Sequence, residues 1–162
     1  MALIVETGSI VTNANSYVSD TDYTTYATAR NKTVGSTEAL REAELLKAMD
    51  YLESYRSKFK GAKVTRDQPL QWPRYDVFID GYQIDSNAIP SELKNAQMEL
   101  AILANSTDLV PSGSVENIQS QSIGSLSVSY FSGGTWKTVQ HKNVDQFLDE
   151  LLNHSGYRTV RA

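Results

Sequence analysis

The chain has no cysteine. That excludes disulfides, thiolate nucleophiles and thiolate-bound metals, and it fits a protein made in a reducing cytoplasm. Histidine is scarce: only His141 and His154 occur. Neither has an acidic or histidine partner at metal-ligand spacing, so both are expected at the surface. No apolar run is long enough to span a bilayer, so no membrane partner is expected. The opening MALIVETGS lacks a charged segment followed by a long apolar stretch, so no secretory signal is expected. A basic excess is also missing. The net charge is −4, whereas a nucleic-acid-binding surface usually announces itself with surplus cations. No GxSxG, Walker A or HExxH pattern occurs, and no helix with Lys and Ser/Thr directly follows Gly133-Gly134. The carboxylates Glu38, Glu42, Glu44 and Asp50 read as the solvated face of a helix. No catalytic residue, metal site or cofactor is therefore expected.

What is present is enough chain, 162 residues, for one domain with a real core. Ala2 to Glu6 reads as a strand. Ser19 reads as the N-cap of a helix from about Asp20 to Arg30, with Tyr23, Tyr26 and Ala27 on one face. Ser36 is the expected N-cap of a longer helix reaching roughly Lys58. Its Leu45, Met49, Leu52, Tyr55 and Phe59 fall in one wide arc opposite Lys47, Asp50 and Lys58. Pro90 starts a third helix, to about Asn105, because its missing N–H costs nothing there. Leu93, Ala96, Leu100 and Leu103 share one face, with Met98 and Ile102 on the other. A helix apolar on two sides is either central or shared with a neighbouring subunit.

After Pro111 the pattern changes. Two strand-like runs, VENIQSQSIG and SLSVSYF, flank Gly124, and the second alternates serine with Leu126, Val128 and Tyr130. An isolated two-stranded ribbon is marginal, so Ile118, Leu126, Val128 and Tyr130 are expected to contact a neighbouring copy. A short amphipathic helix, about Asn143 to Leu152, carries Val144, Phe147, Leu148 and Leu151. The expected fold is mainly α: a small helical bundle with an inserted β-hairpin near 115–131 and an extended C-terminal tail. Residues 1–136 form its main part, and 137–162 the short helix and tail.

The aromatics admit two readings. Tyr17, Tyr23, Tyr26, Tyr51, Tyr55, Tyr75 and Tyr82 serve either core packing or base stacking, and stacking needs a basic groove. The one basic cluster, Arg56, Lys58, Lys60, Lys63 and Arg66 around Phe59, is either a solvated helix end or a phosphate contact. In PLQWPR, Pro73 biases Trp72 towards extended backbone. Trp72, Pro73 and Pro90 are thus expected structural anchors, with the indole pinning a connector to the helices.

Taken in order, ALIVETG, ANSYVSDTDYTTYATAR, EALREAELLKAMDYLE, LQWPR, DGYQIDSNAIPSELKNAQMELA and IGSLSVSYF cover most of residues 2–131. This ordered set resembles the head-to-tail adaptors of tailed bacteriophages, also called connector or head-completion proteins. Some members carry a DnaT-like, single-stranded-DNA-binding label. The resemblance implies a virion-neck protein without an active site, assembled in the host cytoplasm. It implies a homo-oligomeric ring of twelve copies between the portal protein and a downstream neck or tail protein, through which double-stranded DNA passes non-specifically. In that setting the tail is a portal-docking element. Tyr157 and Val160 supply small anchors, while Arg158 and Arg161 meet carboxylates. The alternative is a DnaT-like single-stranded-DNA-binding module acting in phage replication.

Overall fold

A computed structural model describes residues 2–109, 120–123, 126–129 and 141–153. Helix α1 (Asp20–Ala29) starts where Ser19 accepts the Asp22 amide on its hydroxyl, and it buries Tyr23, Tyr26 and Ala27. Helix α2 (Glu38–Glu53) is capped by Thr37, one residue beyond the expected Ser36. It also ends five residues before Lys58. The Ser54 hydroxyl donates to the Tyr51 carbonyl at 2.6 Å, and the chain then tightens into three-residue turns through Lys58. Such local side-chain bonds compete with helix continuation. Helix α3 (Ser91–Ser106) follows the buried Pro90, as expected.

Short antiparallel pairs join the helices. β1 (Ala62–Lys63) pairs with β2 (Arg74–Tyr75), and β3 (Phe78–Ile79) with β4 (Tyr82–Gln83). The expected serine-rich hairpin is present as β5 (Ser120–Ile123) and β6 (Leu126–Ser129). Its register places Leu126 opposite Ile123 and Val128 opposite Gln121. Ile118 and Tyr130 lie outside the described residues, as do Tyr157, Arg158, Val160 and Arg161. Helix α4 (Lys142–Leu148) runs into a 3-10 turn, Asp149–Leu151. The fold is mainly α, a small helical bundle with β-hairpins. No helix among the described residues is long and apolar enough to cross a membrane.

α3 is the central element. It packs against α2 and α4 and touches α1, so its own chain covers both apolar sides. Of the two readings of a two-sided helix, the central one holds. Trp72, Leu45, Leu52, Leu93, Leu100, Leu148 and Leu151 are fully buried in one continuous core.

Three further sequence expectations are corrected. The strand at 2–6 is absent apart from a single parallel bridge between Val5 and Ser16. The buried Glu6 carboxylate accepts the amides of Gly8, Ile10 and Val11 at 2.8–3.0 Å, which curls the chain into a loop. Glu44 is not solvated. It is buried, accepting the Tyr23 hydroxyl at 2.8 Å and the Gly35 amide at 3.3 Å. His141 is half-buried, its ring edge-on to Tyr51 at 5.4 Å.

The tyrosines divide by location. Tyr17, Tyr23, Tyr26 and Tyr51 are buried. Burial, foremost, raises all four phenols, and hydrogen bonds donated to Glu44 and Glu99 add to it for Tyr23 and Tyr26. Tyr26 is pushed up to about 12. The unfolded chain ionises tyrosine near pH 10, so it loses protons that the folded chain retains. These groups stabilise the fold fully below about pH 10, and that stability declines as pH rises towards 12. Urea midpoints measured from pH 8 to 11.5 are expected to stay level until near 10 and then fall. Trp72 provides a second test. It meets Phe59 edge-to-face at 6.2 Å and has no solvent exposure. Trp72→Ala is expected to cost about 3–5 kcal/mol in denaturant unfolding, as for other buried large aromatics.

Candidate functional site

Two surfaces compete for a functional role: the basic segment at 56–66 and the aromatic arm at 75–85. One connector positions both. Arg74 is buried, and its guanidinium donates to three backbone carbonyls: Lys60 at 2.7 Å, Gly61 at 2.7 Å and Gln71 at 3.4 Å. Burial pulls its pKa below the ordinary value, while the intrinsic basicity of the guanidinium keeps it charged. Gln68 bonds the Leu70 and Pro73 carbonyls through Nε2. Gln71 is held by both carboxylate oxygens of Glu53, at the end of α2. With Trp72 and Pro73 buried beside it, the connector is fixed to the core. Trp72 Nε1 is buried and has no hydrogen-bond partner among the described residues.

The basic segment is built mainly into this frame. Phe59 is buried, so it offers no face for a base. Lys60 Nζ donates to the Glu150 carbonyl at 2.8 Å, and Lys63 Nζ to the Gln68 carbonyl at 2.9 Å. Lys58 lies 5.0 Å from the centroid of Tyr55. Arg56 and Arg66 are exposed. The structure thus brings Arg56, Lys58, Lys60, Lys63 and Arg66 to one region but gives three of them local contacts. Nucleic-acid stacking grooves pair cations with exposed rings, and here the central ring faces inward.

The arm has the opposite character. It is rooted by the fully buried Val77, whose carbonyl accepts the Ile84 amide at 2.9 Å. β3 and β4 join through Asp80-Gly81, with φ of 50° and 83°. Two successive positive φ values mark the tight turn whose twist suits a hairpin. At the root, Gly61 has φ of 65°, and a Cβ there would stand 2.1 Å from the Tyr75 carbonyl oxygen. Only glycine fits that close approach. Tyr75, Phe78 and Tyr82 are 45%, 51% and 78% exposed, three of the four exposed large apolar side chains among the described residues. The same stretch carries Asp76, Asp80 and Asp85, and no Lys or Arg occurs between Arg74 and Lys94. An exposed aromatic ribbon with carboxylates and no cation suits a protein contact and repels a phosphate chain.

The expected anchors Trp72, Pro73 and Pro90 are buried, Trp72 and Pro73 beside this arm and Pro90 at the start of α3. Leu126 and Val128 lie on β6. Tyr75 and Tyr82, read from sequence as serving core packing or base stacking, are exposed on this arm, and Phe78 joins them beside Asp-Gly, a hairpin signal between two strand-like pairs. Among the described residues, no group of three or more His, Asp or Glu is placed to hold a metal ion. A shallow, open depression on α1, of about 420 Å³, is lined by Thr24, Thr25, Thr28 and Ala29 and presents no titratable group.

The arm and its root respond differently to substitution. Phe78→Ser and Tyr82→Ser, both exposed, are expected to change unfolding free energy by less than about 0.5 kcal/mol each. Gly61→Ala is expected to cost more than about 1 kcal/mol, because the new methyl group meets a backbone oxygen at positive φ. Equal losses at all three positions in urea titrations would contradict an exposed arm on a tightly packed root.

No curated protein and no solved structure matches the chain. A family model matches it over residues 1–162, and the chain therefore belongs to the family described as "Putative DnaT-like ssDNA binding protein".

Proposed function

We propose that the protein is a structural head-to-tail adaptor of a tailed bacteriophage, forming a ring that joins the portal to the tail around the DNA channel. The observation that carries this reading is the arm. Three exposed aromatics and three carboxylates lie within residues 75–85, a stretch that carries no cation. Such a surface gains by burial against protein and gains nothing from a phosphate backbone. The ordered segments from ALIVETG to IGSLSVSYF support the same reading through their resemblance to adaptors. A ring requires two different surfaces of each copy to meet. The arm is one such surface, and the β5–β6 ribbon, which is too small to be stable alone, supplies a further contact. The acidic balance lets DNA slide through the channel without being held. Portal protein and a downstream neck or tail protein are the proposed partners, with the virion neck as the site of action.

Single-stranded DNA binding is the second reading. The description of the matching family favours it. On that reading the exposed Arg56 and Arg66 would face the strand. The two readings differ in what the purified protein does. An adaptor forms a large species with portal rings in light scattering and leaves oligo-dT unbound at 50 mM salt. A single-stranded-DNA-binding module binds oligo-dT with an affinity that falls steeply as salt rises, since phosphate contacts release counterions. Salt-sensitive oligo-dT binding that is abolished by Arg56→Glu with Arg66→Glu would overturn the adaptor reading.

A further inference from the structure

The arm exposes apolar surface next to negative charge, and the chain holds a segment of complementary chemistry. After Asn153 the sequence reads HSGYRTVRA, with Arg158, Arg161, Tyr157 and Val160 and no acid. The structure shows where that segment begins. Leu152 forms an antiparallel bridge with Phe59. The Asn153 amide donates to the Lys58 carbonyl at 2.7 Å, and its side chain to the Phe59 carbonyl at 3.2 Å. Phe59 is three residues from Ala62, and Ala62 is the direct partner of Tyr75 at the root of the arm. Three extended residues span at most about 10 Å and paired strands lie about 5 Å apart, so Tyr75 is within about 20 Å of Asn153. Arg158 and Arg161, five and eight residues past Asn153, reach up to about 18 and 29 Å.

We propose that residues 154–162 dock on the acidic aromatic arm of the same copy. Arg158 and Arg161 pair with Asp76, Asp80 and Asp85, and they lie over the rings of Phe78 and Tyr82. Tyr157 and Val160 cover the remaining apolar surface. The contact is individually weak, but attachment at Asn153 supplies an effective concentration in the millimolar range. The inference rests on the arm being a protein-binding surface, and it adds a regulatory element to it. The arginines that hold the tail on its own arm are those an acidic portal surface would take. Docking on the arm and docking on a portal therefore exclude each other, and the arm is uncovered only when the tail has left.

Because the chain has no cysteine, two introduced thiols report this contact without background. Gln83→Cys on the exposed side of β4 is combined with Thr159→Cys in the full-length protein. The disulfide is followed under mild oxidation at low protein concentration and low salt. The expected product is an intramolecular crosslink. Its rate should fall on the order of tenfold, about 1.4 kcal/mol of contact, when Arg158→Glu and Arg161→Glu are added, and similarly in 1 M salt. The charge-reversed protein keeps the same chain length and reach, so it isolates docking from mere proximity. A rate unchanged by charge reversal and by salt overturns the proposal. A disulfide-linked dimer as the main product also overturns it. Neither portal nor DNA enters the measurement, so its failure leaves the adaptor reading intact, and failure of that reading leaves the crosslink standing.

Discussion

Gln97 is a polar side chain at the centre of an apolar bundle, with no solvent exposure. Its Oε1 accepts the Tyr17 amide at 2.9 Å. Its Nε2 donates to Ser16 Oγ at 2.8 Å and to the Leu45 carbonyl at 3.3 Å. These three bonds tie α3 to the N-terminal loop and to α2. An amide in this position is costly unless every bond is made, so α3 fits at one rotation and one height only. The apolar faces alone would tolerate sliding by a turn, and the amide does not. The network then continues outward. The Tyr17 hydroxyl accepts the Trp72 amide at 3.1 Å, so the residue that Gln97 positions also fixes the connector.

The arm inherits its position from that connector. Trp72 is held by Tyr17 and Phe59, Arg74 by three carbonyls, and Gln71 by Glu53. Tyr17, Glu53 and Arg74 satisfy backbone that has no ladder of its own, since β1 and β2 are only two residues long. Polar side chains here do what regular secondary structure does elsewhere. The consequence is a short hairpin of low intrinsic stability held on a stiff base, with its rings facing water. The two neighbouring elements with less support, β3 and β4, are the ones left to interact.

The helices were legible in the sequence because their signals are local. Ser19 and Pro90 mark helix starts, and the apolar spacing of Leu45, Met49 and Leu52 marks a face. The end of α2 was not legible, because the apolar arc continues through Tyr55 and Phe59 while the Ser54 hydroxyl breaks the helix just before them. Glu6 and Glu44 look like ordinary surface carboxylates in sequence. Their burial depends on amides and a hydroxyl that only the tertiary fold brings to them. The same holds for Gln97, which reads as a polar interruption of an apolar helix. The arm was half legible. Asp-Gly predicts the turn, but nothing local separates the buried Val77 from the exposed Phe78 beyond strand alternation over two residues.

The family description and the arm chemistry bear on different surfaces, and their tension has a physical form. Single-strand binding draws on cations that track phosphates and on rings that stack bases, and the two must lie together. In this protein they lie on different segments of the chain. The exposed cations Arg56 and Arg66 flank the buried Phe59 in the sequence, while the exposed rings Phe78 and Tyr82 share a stretch with Asp76, Asp80 and Asp85. A strand lying on those rings would meet the carboxylates of the same stretch, which supplies no cation of its own. A partner that brings its own positive charge meets no such conflict. It gains the apolar area of the rings and neutralises the aspartates in the same contact, and a protein segment bearing arginine has the chemistry to do both.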